Sequence, residues 1–172
     1  MPDTKPVGVA YSDPALTSGT TITGATLDST TRVLSNIATG MTVGQQGATI
    51  TTTGNSDVFV IVPAAGVLTA AQFSGVDALA ANDTNFITFS ITNLGQAGAG
   101  SAAMLAATDA NTTKATGGTA LAANTLRTLT LNGTAANLVV AAGDRLRIRA
   151  AASGTLANTV TFPVYRLNFS VS

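Results

Sequence analysis

The chain has 172 residues, eight basic against eight acidic, for a formal net charge of zero; every acid is an aspartate, and there is no histidine, cysteine, tryptophan or glutamate. A 45% hydrophobic fraction excludes a disordered polypeptide, and the missing basic excess argues against a nucleic-acid binder. Most acid–base and nucleophilic mechanisms draw on the side chains absent here, so a structural or binding role is expected rather than an enzyme, with no cofactor and no metal.

A neutral chain with only 9% charged residues is weakly protected against self-association. Much of its surface is therefore expected to be covered by partners. The opening Met1-Pro2-Asp3-Thr4-Lys5-Pro6 lacks the apolar stretch of a signal peptide. No segment approaches the roughly 20 apolar residues of a membrane helix, so no membrane partner is expected.

Taken in chain order, Met1 to Thr20 carries Pro2, Pro6 and Pro14. This spacing prevents a helix and favours extended chain, an arm or a tail. Residues 21–172 are read as the folded domain, with 21–56 a possible continuation of the arm. Between Thr20 and Asp57, isolated apolar residues alternate with Thr and Gly, which fits short strands better than helices. Val58-Phe59-Val60-Ile61-Val62, ended by Pro63, reads as a buried strand.

Gly66 to Leu79 holds one or two further strands. Phe86 to Asn93 places Ile87, Phe89 and Ile91 on one face and Thr88, Ser90 and Thr92 on the other. Asn93 to Gly100 is glycine-rich, and without the lysine of a phosphate loop it reads as a hairpin connection. Ser101 to Asp109 is assigned to a strand, although its alanines would also suit a short helix capped by Ser101. Asn82-Asp83-Thr84-Asn85 reads as a side-chain-stabilised turn rather than a cation loop. Ala-Ala-Asn, recurring at Asn82, Asn124 and Asn137, marks further turns.

Thr125 to Leu131 again alternates. In Arg145 to Ala150 the three arginines point one way and Leu146 and Ile148 the other. At the C-terminus, Val160, Phe162 and Val164 share one parity and Tyr165, Leu167, Phe169 and Val171 the opposite one. A bulge or strand break beside Pro163 is predicted there, because a one-residue slip turns every side chain over. Eight to ten short strands point to an all-β, antiparallel, jelly-roll-like sandwich with an extended N-terminal arm.

Arg145, Arg147 and Arg149 are the only concentrated charge. They form either a solvated outer face or an interface to partner carboxylates, with Asp144 placed to offset part of the charge.

Val62-Pro-Ala-Ala-Gly66-Val-Leu-Thr69, Asp83-Thr-Asn85-Phe-Ile-Thr88-Phe-Ser-Ile-Thr-Asn93, Gly95-Gln-Ala-Gly98-Ala-Gly100, Thr119-Ala-Leu-Ala-Ala-Asn124 and Leu138-Val-Val-Ala-Ala-Gly143-Asp144 together resemble the head decoration (cement) proteins of tailed bacteriophages. The similarity runs from about Asp57 to Ala152. It implies a β-sandwich on the capsid exterior, often a homotrimer, made in the host cytoplasm and bound to the major capsid protein. Interface candidates are then Pro6, Tyr11 and Pro14 of the arm with Arg145, Arg147 and Arg149. The alternative is a receptor- or carbohydrate-binding β-domain of a tail fibre.

Overall fold

The computed structural model describes residues 40–171. Among the described residues, nine strands form two antiparallel sheets: β1 (Met41–Gln46), β2 (Gly54–Ile61), β3 (Gly66–Ser74), β4 (Phe86–Asn93), β5 (Ala102–Ala103), β6 (Arg127–Leu129), β7 (Val139–Val140), β8 (Arg145–Ser153) and β9 (Val164–Val171). One sheet has the order β1-β9-β3-β6, with β7 also on β3; the other has the order β2-β8-β4-β5. Setting the two-residue β7 aside, first pairs with last, second with second-to-last, and β4 with its neighbour β5. A doubled-over ribbon wound in this way into two layers is a jelly roll. The structure therefore bears out the all-β sandwich. Residues 41–61 contribute β1 and β2 to it, while Met1 to Thr39, with Pro6, Tyr11 and Pro14, lie outside the described residues.

The core lies between the layers. Ile87, Phe89 and Ile91 of β4 and Leu146, Ile148 and Ala150 of β8 meet Leu68, Ala71 and Phe73 of β3 and Tyr165, Leu167 and Phe169 of β9. Period-two alternation puts each set on one face of its strand. Three aromatic rings join the layers: Phe73 lies 4.7 Å from Phe89 and 5.3 Å from Tyr165, centroid to centroid, both in tilted geometry.

Two local irregularities keep the apolar side chains inward. In β3 the buried set changes parity between Leu68 and Ala71, and the register against β9 shifts at Thr69. One extra residue there restores the inward face. Near the C-terminus, Val160 pairs with Ile50 as an isolated bridge and is buried, whereas β9 begins only at Val164. The predicted break at Pro163 is present. It is made by Phe162, which adopts φ +47° and leaves its ring 63% exposed. A bulky residue in the left-handed region is uncommon and carries strain.

The other sequence expectations resolve as follows. Ser101 to Asp109 is extended, not helical: Ala102–Ala103 form β5 and Leu105 bridges to Leu131. A single 3-10 turn follows at Asp109–Asn111. The glycine-rich segment does connect a hairpin, with Asn93 opposite Ala102. In the Asn82–Asn85 turn, the Asn82 side-chain oxygen accepts from the backbone N–H of Thr84 (2.8 Å) and of Asn85 (2.7 Å). Asn124 carries φ +56° in its turn.

One strand departs from expectation. Val58–Val62 reads as buried, but β2 is an edge strand with β8 as its only neighbour among the described strands. Val60 and Val62 are buried, while Phe59 and Ile61 stand 54% and 66% exposed on the outer face. A continuous apolar run is the pattern of a strand covered on both faces; here the second face carries no cover from the described residues.

Candidate functional site: the outer face of the β2–β8–β4 sheet

In antiparallel register, directly opposed residues share a face. Three cross-strand rows follow on the outside of this sheet. Asp57, Arg149 and Ser90 form the first; Phe59, Arg147 and Thr92 the second; Ile61 and Arg145 the third. All three arginines project outward from the strand whose Leu146 and Ile148 sit in the core. The sheet therefore brings together Arg145, Arg147 and Arg149, as their spacing predicts, and adds Phe59 and Ile61, which sequence reasoning assigned to the core.

The three arginines are not equivalent. Arg149 donates from Nε to Asp57 Oδ1 and from Nη2 to Asp57 Oδ2, each at 2.6 Å, a bidentate pair. Chiefly through that hydrogen bond, Asp57 is held below its ordinary carboxylate range and Arg149 above its own. Arg145 and Arg147 have no acidic partner among the described residues. The Arg147 Nε is buried without a hydrogen-bond acceptor among the described residues. The Arg145 guanidinium lies against Gly98 of the glycine-rich loop, where a β-carbon would collide with it.

Asp144 does not offset this charge. It is 7% exposed and faces away from the arginines: its Oδ2 accepts from Asn93 Nδ2 and from the Ala141 backbone N–H, both at 2.9 Å. Alternation explains the difference, since Asp144 shares the inward parity of Leu146 and Ile148. Its partners close the turn that leads into β8, where Gly143 takes φ +85°.

The edge of β2 contributes backbone groups as well. The Val62 N–H donates to the Asp144 carbonyl at 2.9 Å, and the Val62 carbonyl accepts from the Gly143 N–H at 2.7 Å. Alternation along the strand then turns the N–H and C=O of Asp57, Phe59 and Ile61 away from β8, toward the open edge. Side chains and backbone of the same three residues thus line one margin of the molecule.

A concavity lies beside β4. It has a volume of about 440 Å³ and is lined by Thr88, Ser90 and Thr92, by Ala103 and Leu105 to Ala107, and at one end by Asp109 and Lys114. Lys114 pairs with Asp109 at 2.8 Å and sits 4.9 Å from the centroid of the Phe86 ring. Phe86 is thus engaged by a cation and is not a free stacking platform for a sugar. Among the described residues, no three metal-ligating side chains converge, and no helix is long and apolar enough to cross a membrane.

Comparison with protein-family models, with curated proteins and with solved structures gives no match for this chain.

Proposed function

We propose that the protein is a decoration protein that binds the outside of an assembled phage capsid and stabilises it by clamping neighbouring copies of the major capsid protein. The observation that carries this reading is the outer sheet face. Two guanidiniums with no acidic partner among the described residues stand in register with two exposed apolar side chains, on a sheet backed by a continuous core. A chain with so few charges has no general electrostatic reason to place three arginines on one face of one strand. Exposed apolar groups grouped beside them have the composition of an interface, in which arginine and aromatic residues are enriched.

The likeness of the Asp57–Ala152 segment to head decoration proteins supports the same reading. A homotrimer fits it too: several modest contacts presented together give avidity on a lattice of equivalent sites. Binding that favours the assembled shell stabilises that shell by mass action. The test is a deletion strain. Virions are expected to contain the protein in a fixed ratio to the shell protein, and particles lacking it to rupture at milder heat or lower osmotic shock. Deletion particles as robust as the parent, or virions without the protein, would refute the proposal. Saturable binding on a glycan array would favour the tail-fibre alternative.

A further inference from the structure

We infer that the Arg145–Arg147–Phe59–Ile61 face is the docking site itself and that its occupant is an acidic, partly apolar surface of another protein, held by carboxylates on the two guanidiniums. This rests on the decoration reading for its biological setting, but its chemistry follows from the face alone. Arg149 shows how the site is satisfied: its planar fork takes both oxygens of Asp57. Arg147, two residues along on the same face, has its Nε buried with no acceptor among the described residues, which leaves the end of its fork, the paired Nη nitrogens, for a partner. A partly desolvated cation is costly unless a counter-charge reaches it. A carboxylate at the end of the fork supplies that charge and accepts from both Nη groups. Phe59 directly opposite Arg147, and Ile61 opposite Arg145, give the apolar contact that excludes water from such pairs.

Charge chooses among occupants. A second copy of this chain docked through the same face would bring together four guanidiniums that lack an acidic partner among the described residues, which like-charge repulsion opposes. A nucleic acid is bound by spreading many cations along its phosphates. This face offers two, beside an aspartate already committed to Arg149 and two apolar side chains that no phosphate backbone matches. An acidic protein surface satisfies both the cations and the apolar groups.

The full-length protein should be titrated by NMR with a synthetic peptide of alternating Glu and Leu, and in parallel with a single-stranded oligonucleotide of matched charge. The expected result is saturable peptide binding, with shifts confined to β2, β8 and the Gly95–Gly100 loop. Affinity should fall at least about tenfold in R145Q/R147Q. Arg147→Lys, which keeps the charge but not the fork, should also weaken binding. Arg166→Gln, which removes one charge from the other sheet, should leave it unchanged. Should the double arginine variant lose its fold, Phe59→Thr with Ile61→Thr, both β-competent, serves as the second variant and is expected to weaken binding likewise.

Preference for the oligonucleotide, self-association through this face, shifts mapped elsewhere, or equal loss in the Arg166 variant would each overturn the assignment. The same variants on empty heads separate the two proposals. Heads that bind every variant as well as the parent leave the decoration reading standing and remove this site. Peptide binding at the face without any binding to heads does the reverse.

Discussion

Arg147 and Arg149 stand on one strand and one face, yet only Arg149 has a carboxylate opposite it, because register places Asp57 against 149 and Phe59 against 147. The Asp57–Arg149 pair is partly solvated, so its net worth is on the order of 1 kcal/mol after screening. Its sign with pH follows from the depressed carboxyl. Asp57 is lower in the folded state than in the unfolded chain, so its contribution is complete above about pH 4 and is lost as pH falls through the folded value. Asp77, held down by hydrogen bonds from Thr161, and Asp83, held down by those from Thr116, act in the same direction. Urea unfolding at pH 5 and pH 2.5 should therefore show a fall in midpoint that is smaller in Asp57→Asn than in the parent; an identical fall would mean that the pair does not contribute.

Tyr165 makes the opposite case among the buried polar groups. Its ring is packed against Phe73, and its hydroxyl has no hydrogen-bond partner among the described residues. Burial pushes the phenol well above its ordinary value. Tyr165→Phe removes a polar atom that makes no hydrogen bond to the described residues. It should be neutral or stabilising by about 1 kcal/mol in thermal or urea unfolding. A loss of similar size would show that the hydroxyl is bonded in solution.

At the scale of elements, the strands that alternate cleanly were legible. Phe86–Asn93 and Arg145–Ala150 show their inward and outward sets in the sequence because each keeps one face on the core over its whole length. The break near Pro163 was legible as a change of parity, but the residue that makes it was not: proline is the sequence signal for a break, whereas the left-handed turn is at Phe162. The Thr69 bulge is not legible in the sequence because Leu68 and Phe73, of opposite parity, are separated by Thr69, Ala70 and Ala71, small residues that suit either face, and by Gln72. Phe162 therefore offers a direct probe. Phe162→Gly should cost less than about 0.5 kcal/mol or stabilise, since glycine accepts positive φ and the ring is mostly exposed. Phe162→Val, β-branched at the same φ, should destabilise by more than about 1 kcal/mol. Equal effects of the two substitutions, read as changes in melting temperature, would show that the strain is absent.

Only half of the candidate site could be read before the fold was known. Three arginines at period two announce a common face. Phe59 and Ile61 do not, because a run of five apolar residues bounded by proline describes a doubly covered strand as well as an edge strand with one naked face. Only the strand order, which leaves β2 with a single described neighbour, distinguishes them. Asp144 failed for a related reason: adjacency in sequence placed it beside Arg145, while alternation placed it on the other side of the sheet.

For the whole molecule, the jelly roll supplies a block whose β2–β8–β4 sheet presents, side by side, a satisfied Arg–Asp pair, two arginines without an acidic partner among the described residues and two exposed apolar residues. Thr-rich outward positions such as Thr88 and Thr92 keep the rest of that face β-competent and uncharged. On the proposed reading the block is an adhesive unit whose weak single contacts become strong on a lattice. The most direct measurement is an occupancy titration of purified protein on empty tailed-phage heads lacking their outer layer, before and after shell expansion, counted by cryo-electron microscopy. Saturation at a fixed number of symmetry-equivalent positions on expanded heads, with the β2–β8–β4 face against the shell and little density on unexpanded heads, is the predicted result. Absence of saturable density on expanded heads would contradict it.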